Sequence, residues 1–302
     1  MLYCMRYVLL VLMFMYAAGV SAQVDDTVAI PGVTLMKNIR YGTADPKQNF
    51  DLYLPNDVKG PLPVMIWIHG GGWRLGGKKN MEIPYLARHG YAIASIAYRF
   101  SQDSVFPAQI RDCYAAVRYI FRHAAALGVD TGRVVVGGAS AGGHLASLLG
   151  MSLNNKRQDF DAEARRGQRI SIKGVINFYG PGDLYAFHGD NSGYQVDSAG
   201  SSVSKLLGAS CLLRPDLARW ASPATYVDKG DPPVLILHGD KDPIIHYYLG
   251  VLFYHVLLTA GVRAEMITLP GAGHGGAVFS DAERQEQVLA FLRSVAPSAS
   301  NK

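Results

Sequence analysis

Three residue types that together carry out acyl transfer occur in chain order on short glycine-rich segments of this sequence. Ser140 is the centre of Gly-Ala-Ser-Ala-Gly, a G-x-S-x-G pattern, Asp242 ends His-Gly-Asp-Lys-Asp, and His274 lies in Gly-Ala-Gly-His-Gly. In such a set the histidine accepts the serine proton as the hydroxyl attacks a carbonyl carbon, and the carboxylate holds the required histidine tautomer. The order serine, acid, histidine is also the order expected with this nucleophile motif. The sequence therefore predicts Ser140 as nucleophile, His274 as base and Asp242 as acid.

Ser140 stands between a strand pattern and a helix pattern. Three valines at positions 134–136 predict a buried strand, and Leu145, Leu148 and Leu149 follow at helical spacing. Only glycine and alanine flank the serine, because larger side chains would collide with the backbone of a sharp turn from strand to helix. We therefore expect Ser140 Oγ to project from the carboxyl edge of a sheet. The helix N-terminus beside it favours a developing negative charge.

Two aspartates compete for the role of acid. Asp240 directly follows Gly239, where a carboxylate readily bonds the amides of its own loop, whereas Asp242 precedes Pro243, whose fixed φ holds its neighbour in one orientation. We therefore expect Asp242 to meet His274 and Asp240 to shape the loop. His238, His246 and His255 are assigned packing or surface roles.

A second glycine-rich segment supplies the donors that acyl transfer needs. His69-Gly70-Gly71-Gly72-Trp73 follows an apolar run, Val64 to Ile68, which predicts a buried strand. Two or three N–H groups must be aimed at the developing oxyanion before reaction. Gly71 and Gly72 can turn their amides inward because they lack Cβ atoms, and Ala141 follows the nucleophile. We expect these three amides to form the oxyanion hole, with His69 in a structural role.

Strand and helix patterns alternate along the rest of the chain. Predicted strands are Val33–Ile39 and Phe50–Leu54, both at a sheet edge, the buried Val64–Ile68 and Tyr91–Ala97, and three more at Gly174–Tyr179, Val234–His238 and Ala264–Leu269. Predicted helices are Pro107–Ala126, Tyr247–Ala260 and Ala282–Val295, and residues 154–169 are a surface loop or short helix. This alternation predicts an α/β fold with a mostly parallel central sheet flanked by helices. Nothing marks a second domain, so residues 23–302 are expected to form one catalytic domain.

Residues 181–222 show no clean periodicity and are long enough to form a lid or a pocket wall. The aromatic residues that could wall a substrate pocket are Trp73, Phe178, Tyr179, Tyr185, Phe187 and Tyr194. Ordinary packing is an equally good explanation for the aromatics of this segment.

Composition excludes several other classes of protein. The 302 residues are 49% hydrophobic and 18% charged, which describes a globular chain. The net charge of +5 is scattered and forms no basic stripe with aromatics, so no nucleic acid partner is expected. No ligand spacing indicates a metal, and no cofactor is expected. The sequence leaves the oligomeric state open.

The N-terminus has the pattern of a secretory signal peptide. Arg6 precedes an apolar run from Val8 to Val20, and the small Ala22 offers a cleavage site before Gln23. The run is too short to span a bilayer comfortably, so no stable membrane anchor is expected. We predict a signal at residues 1–22 and a secreted or periplasmic protein. Cys113 falls in a helical apolar pattern and is expected to be a buried free thiol; whether it pairs with Cys211 remains open.

Seven segments together resemble one known family. They are His69–Trp73, Phe106–Asp112, Gly138–Ala146, Tyr179–Leu184, Ala221–Pro223, His238–Asp242 and Gly271–His274. The chain is similar, over roughly residues 50–293, to α/β-hydrolases of the HGGG esterase branch (carboxylesterase, hormone-sensitive-lipase-like), close to bacterial feruloyl and acetyl-xylan esterase domains. The sequence departs from this branch at Ala139, where Glu is frequent, and at Ile244-Ile245-His246, where Val-Pro is more usual.

The resemblance implies a secreted serine carboxylesterase with the same triad, acting on a small ester or a polysaccharide-linked ester. Feruloyl and acetyl esters of plant polysaccharide are the substrates it suggests. An arylformamidase and a small lipid esterase of the same fold are alternatives. A non-catalytic α/β-hydrolase-like binding protein is an alternative of a different class.

Overall fold

The computed structural model describes residues 29–153, 155, 159–161, 169–187 and 195–298. The predicted signal peptide and Tyr194 lie outside the described residues. The strands are β1 (Val33–Arg40), β2 (Asn49–Pro55), β3 (Leu62–Ile68), β4 (Ala92–Ile96), β5 (Val129–Ala139), β6 (Gly174–Phe178), β7 (Val234–Gly239) and β8 (Ala264–Leu269). The helices are α1 (Ala108–Arg122), α2 (Ala124–Leu127), α3 (Ala141–Ser152), α4 (Ser202–Leu207), α5 (Pro215–Trp220), α6 (Tyr247–Thr259) and α7 (Ala282–Val295). Short 3₁₀ turns span Pro84–His89, Pro223–Thr225 and Ala277–Ser280.

The eight strands form one sheet in the order β1-β2-β4-β3-β5-β6-β7-β8. Strand β2 runs antiparallel to both β1 and β4, and every pair from β4 to β8 is parallel. The predicted mostly parallel sheet is confirmed. Parallel strands place their carboxyl ends at one edge, so the segments that follow β3, β5, β7 and β8 meet there.

The prediction for Phe50–Leu54 was wrong in one respect, because β2 is an inner strand. It lies between β1 and β4, so of the two strands predicted at a sheet edge, β1 is at the edge and β2 is not. The polar Asp51 is tolerated there because its carboxylate accepts hydrogen bonds from Lys78 Nζ at 2.6 Å and from Asn38 N at 2.8 Å.

Two apolar layers cover the two faces of the sheet. One contains the buried sides of α1, α3 and α6, including Ile110, Leu145 and Phe253. The other contains α7 and the turn Pro84–His89, packed on Trp67 and Phe178. Helix α3 is buried along its whole length, as expected for a helix that carries a site from the middle of a sheet.

Residues 181–222 contain α4 and α5, which periodicity did not reveal because each is only six residues long. Phe160, in the stretch predicted to be a surface loop or short helix, is buried against Phe106, Trp220 and Tyr226. Cys113 and Cys211 are both buried and free, which confirms the prediction for Cys113. Within the described ranges, no helix has both the length and the apolar composition of a membrane span.

Candidate active site

Ser140 occupies the turn between β5 and α3 in a strained conformation. Its φ of 55° and ψ of −119° lie in a region that side chains other than glycine rarely adopt. The strain is held by the surrounding structure: Ser140 N donates to Phe178 O at 2.8 Å, and His144 N donates to Ser140 O at 3.0 Å. The turn therefore projects Oγ away from the sheet edge, as the sequence predicts.

Glycine is required next to Ser140 because backbones approach closely there. A Cβ atom on Gly142 would lie 1.9 Å from Ile68 O, and one on Gly138 would lie 2.4 Å from the carbonyl carbon of Gly142. Neither contact can be relieved by moving a side chain, since both partners are backbone atoms. The motif thus allows α3 to start directly against the end of β3.

The structure brings Ser140, His274 and Asp242 into one hydrogen-bonded series. His274 Nε2 lies 2.9 Å from Ser140 Oγ, and His274 Nδ1 lies 2.7 Å from Asp242 Oδ2. Because a carboxylate only accepts hydrogen bonds, the ring nitrogen that carries hydrogen is Nδ1. Nε2 is then free to accept the proton of the serine hydroxyl.

Asp242 is held as an ionised carboxylate. Its Oδ1 accepts from the amides of Ile244 at 2.8 Å and Ile245 at 2.9 Å. Burial by itself would raise the pKa of Asp242, but hydrogen bonds from His238 and His274, the His274 charge and the Ile245 amide hold that pKa well below its usual range. The negative charge next to His274 is therefore maintained at ordinary pH.

Asp240 has a different environment from Asp242. Its Oδ1 accepts from Gly271 N at 2.7 Å, which ties the loop after β7 to the loop after β8. These two loops carry Asp242 and His274, so Asp240 fixes the spacing of the loops, whereas the carboxylate bonded to His274 is that of Asp242.

His238, for which the sequence predicted a packing or surface role, lies near the end of β7 and contacts the segment that carries Asp242. It is fully buried, and its Nε2–H donates to Ile245 O at 2.7 Å. The same nitrogen lies 3.4 Å from Asp242 Oδ2. Its position directly after the apolar strand residues of β7 was the available signal.

The predicted oxyanion donors line the same cavity as Ser140. Gly71 and Gly72 have positive φ values of 112° and 57°, which turn the backbone of this segment sharply. Ala141 is the first residue of α3, where N–H groups have no acceptor within the helix. His69 donates from Nδ1 to Gly70 O at 2.7 Å, and burial lowers its pKa to about 4, so it is a neutral structural residue.

A cavity of about 550 Å³ opens over Ser140. Its lining residues are Gly70–Gly76, Asn80, Glu82, Ala139–Ala141, Tyr179, Phe187, Ser202, Val203, Ile244, Ile245 and His274. Of the predicted pocket aromatics, Trp73, Tyr179 and Phe187 line it. Tyr185 does not line it, and the Arg219 guanidinium lies over the Tyr185 ring, 4.3 Å from its centroid. Phe178 is also absent from the lining and packs on Trp67 in the core.

Trp73 is anchored by a buried histidine. Its Nε1–H donates to His144 Nδ1 at 3.3 Å, and His144 Nε2–H donates to Ala221 O at 2.8 Å. Burial lowers the pKa of His144 to about 4, so the neutral ring can accept from the indole while donating to the carbonyl. This series connects the oxyanion segment, α3 and the end of the 181–222 segment.

Comparisons with known proteins agree with this geometry. The BD-FAE family model matches residues 50–257. The esterase LipC of Mycobacterium tuberculosis is 30% identical over 246 residues, covering 79% of this chain and 59% of that protein. A solved structure of a truncated carbohydrate esterase from gut microbiota superposes with a TM-score of 0.77 at 29% identity, covering 92% of this chain and 99% of that one.

A crystal structure of esterase B from Lactobacillus rhamnosis superposes with a TM-score of 0.71 at 25% identity, covering 87% of this chain and 85% of that one. The chain spans 59%, 56% and 48% of the lengths of LipC, LipQ and LipM, three relatives from Mycobacterium tuberculosis. The structural matches confirm that the chain has the α/β-hydrolase fold of esterases.

Proposed function

Since this chain belongs to the BD-FAE family and has the α/β-hydrolase fold, we propose that it is a serine carboxylesterase. One observation carries the proposal: the series Asp242, His274, Ser140 is complete at hydrogen-bonding distances of 2.7 and 2.9 Å and ends in an open cavity. Gly71, Gly72 and Ala141, the predicted oxyanion donors, line that cavity together with the serine.

Acylation begins with attack of Ser140 Oγ on the ester carbonyl carbon, while His274 Nε2 accepts the hydroxyl proton. The carbonyl oxygen becomes an oxyanion and is stabilised by the N–H groups of Gly71, Gly72 and Ala141. The tetrahedral intermediate breaks its bond to the alcohol oxygen, which takes the proton from His274. An acyl-enzyme on Ser140 and the free alcohol result.

Deacylation repeats these steps with water as the nucleophile. His274 accepts a proton from water as its oxygen attacks the acyl carbon, and then returns that proton to Ser140 Oγ as the carboxylic acid leaves. Asp242 keeps its charge throughout and stabilises the imidazolium that forms in each half-reaction. The low pKa of Asp242 suits this role, because the carboxylate does not compete for the proton.

For the substrate we propose an ester on plant polysaccharide, with a feruloyl or an acetyl substituent. The similarity to a carbohydrate esterase over 99% of that structure supports this class. The cavity also suits it, because the aromatic side chains of Trp73 and Phe187 stand beside polar ones in its lining. An aromatic acyl group can pack on the former, and its polar partner can bind to the latter.

Export is a further part of the proposal and rests on the sequence of residues 1–22. Polysaccharide esters are met outside the cytoplasm, which agrees with a cleaved signal ending at Ala22. Intact-mass measurement of the protein from periplasm or medium should give a chain beginning at Gln23. A membrane-bound chain still beginning at Met1 would contradict it.

Labelling with a fluorophosphonate tests the catalytic assignment directly. The expected adduct is on Ser140 by peptide mass spectrometry, and Ser140→Ala should remain unlabelled and inactive. An unlabelled wild-type protein with a folded melting profile would instead indicate a non-catalytic binding protein. Hydrolysis of methyl ferulate, acetylated xylan, aryl butyrate and N-formylkynurenine then separates the proposed substrates from those of a lipid esterase or an arylformamidase.

A further inference from the structure

One part of the cavity lining is polar and has no role in the reaction described above. It consists of Asn80, Glu82 and Tyr179, here called the polar wall. Asn80 and Glu82 lie in the segment that follows the oxyanion glycines, and Tyr179 follows β6. A carboxyl, an amide and a phenol in one cavity offer both acceptors and donors of hydrogen bonds.

Glu82 has an unused capacity to accept hydrogen bonds. Its Oε1 accepts from the Tyr179 hydroxyl at 3.2 Å, whereas Oε2 is buried and has no hydrogen-bond partner among the described residues. Burial raises the pKa of Glu82, which reflects the cost of holding this carboxylate away from water. A buried acceptor without a partner is unfavourable, so a ligand hydroxyl that donates to this carboxyl removes that cost. Glu82 is only partly buried and lines the cavity, and a partial rotation about its last side-chain torsion, which is broad in glutamate, would turn Oε2 towards a ligand there.

Asn80 complements the carboxyl at the mouth of the cavity. Its side chain is exposed, and its backbone is fixed because its carbonyl oxygen accepts from Trp67 Nε1 at 2.9 Å. Residues 80 and 82, two positions apart in the chain, thus contribute an amide and a carboxyl to the lining of the same cavity.

The polar wall lies beside the catalytic base. The ring of Tyr179 contacts the His274 ring edge-on, with centroids 4.7 Å apart. In ester hydrolysis the leaving alcohol takes its proton from His274, so the alcohol portion of the substrate passes next to Tyr179 and Glu82. A different part of the cavity lining adjoins the oxyanion segment. There Ser202 lies against Gly72, and the next residue, Val203, is apolar.

We propose that Asn80, Glu82 and Tyr179 bind hydroxyl groups on the alcohol portion of the ester, so that this protein selects esters of polyhydroxylated alcohols. The inference rests on the proposed esterase function and extends it to the alcohol side of the substrate. Hydroxyl groups next to the ester donate to Glu82 and accept from the Asn80 amide. Sugars and glycerol both offer this chemistry, and the test distinguishes them.

A matched pair of acetates isolates hydroxyl recognition. Glycerol 1-monoacetate and 1-propyl acetate share the acyl group and the three-carbon chain, and differ only in two hydroxyl groups. Acetylated xylobiose provides the sugar arm. For each substrate kcat/KM is measured with the wild-type protein, Glu82→Leu and Glu82→Gln. Glu265→Leu is the control, because Glu265 is a half-exposed glutamate on the edge strand β8, outside the cavity lining.

We expect wild type to prefer the hydroxylated acetates to propyl acetate, and Glu82→Leu to lower that preference about 10- to 100-fold, the range for hydrogen bonds to a charged group. Glu82→Gln keeps an acceptor and should retain part of the preference, and Glu265→Leu should leave it unchanged. A larger loss for acetylated xylobiose than for glycerol monoacetate identifies a sugar as the selected alcohol, and the reverse identifies glycerol.

Two results would overturn the inference. If wild type does not prefer the hydroxylated acetates, there is no recognition to assign. If Glu82→Leu lowers kcat/KM for all three acetates equally, Glu82 only supports Tyr179 and His274. Failure of wild type to hydrolyse any of the three, with no fluorophosphonate adduct, would instead refute the esterase function itself.

Discussion

Replacing Asp242 by Asn changes the charge of the acid without changing its shape. In the most favourable orientation, the Asn carbonyl oxygen replaces Oδ1 and accepts from Ile244 N and Ile245 N, which now lie at 2.8 and 2.9 Å. The side-chain NH₂ then replaces Oδ2, 2.7 Å from His274 Nδ1. The opposite orientation would set NH₂ against two buried amide donors, at about 1–3 kcal/mol for each unpaired donor.

This arrangement forces the wrong tautomer on His274. An NH₂ group only donates, so Nδ1 must accept, and the ring hydrogen moves to Nε2, where it faces Ser140 Oγ. The ring can then no longer accept the serine proton. The same substitution in a serine protease lowers kcat about 10⁴-fold, which corresponds to about 5.5 kcal/mol of transition-state stabilisation. We expect a loss of this order for Asp242→Asn.

Asp240→Asn is the matched control, two residues away on the same loop. Its carbonyl oxygen can still accept from Gly271 N, the contact that Asp240 Oδ1 makes at 2.7 Å. We therefore expect kcat within about tenfold of wild type, in the range of a modest change in loop position. Both variants are assayed on one activated aryl acetate, with melting temperatures to show that they fold.

Stability gives an independent check on the charge of Asp242. Folding lowers the pKa of Asp242, so the ionised carboxylate stabilises the native state at any pH above the ordinary pKa of aspartate. This stabilisation is lost as the pH falls below that ordinary pKa towards the lowered one. The melting-temperature deficit of Asp242→Asn should therefore be present at pH 7 and shrink below about pH 4. If Asp240→Asn loses more kcat than Asp242→Asn while both stay folded, the assignment of the acid is wrong.

Three further predictions concern the turn at Ser140 and the polar wall. Ser140→Gly and Ser140→Ala should both be inactive, but the glycine variant should melt at the higher temperature, since only glycine relieves the φ of 55°; equal melting temperatures would show that the turn is not strained. Gly142→Ala should lower the free energy of unfolding by about 3 kcal/mol or more, because its Cβ would lie 1.9 Å from Ile68 O. Gly200→Ala is the control, since a Cβ there has nothing within 4 Å, and urea unfolding should show little effect for it. Glu82→Gln should raise the melting temperature more at pH 8 than at pH 4.5: folding raises the Glu82 pKa, so the ionised form destabilises the native state as pH rises through that pKa. A gain that is larger at pH 4.5 would contradict the raised pKa.

The sequence predicted those parts of the fold whose signal is local. The apolar runs that became β3, β4, β6 and β7 ended within two residues of their predicted bounds, because a buried parallel strand must be apolar on both faces. The bounds of the edge strand β8 were also predicted, although only Leu269 of that strand is buried. The inner position of β2 could not be read in the same way. One oxygen of its buried carboxylate, Asp51 Oδ1, accepts from Lys78, which lies 27 residues further along the chain. Contacts of this kind depend on the topology and leave no periodic pattern.

The same difference between local and topological signals applies to the residues of the candidate site. The proximity of Ser140, Asp242 and His274 could be predicted because each lies near glycines that the backbone requires. A Cβ atom would lie 1.9 Å from Ile68 O at Gly142 and 2.3 Å from Ala272 O at Gly239, and Gly275 has a φ of 89°. The prediction that Tyr185 lines the pocket rested on residue type alone and was wrong. Residue type does not indicate on which side of a loop an aromatic ring will pack. The Arg219 that shields Tyr185 is 34 residues away and belongs to α5, a helix of only six residues.

Glu82 illustrates why residues that contact substrate are harder to predict than those that perform the chemistry. Proton transfer needs a fixed set of groups at fixed distances, and these conditions constrain the neighbouring residues and so leave motifs. A hydroxyl-binding carboxyl needs only to reach the cavity, and many backbone paths allow that. In this chain two contacts from other segments position these residues. The indole N–H of Trp67 donates to the Asn80 carbonyl, and the Tyr179 hydroxyl donates to Glu82.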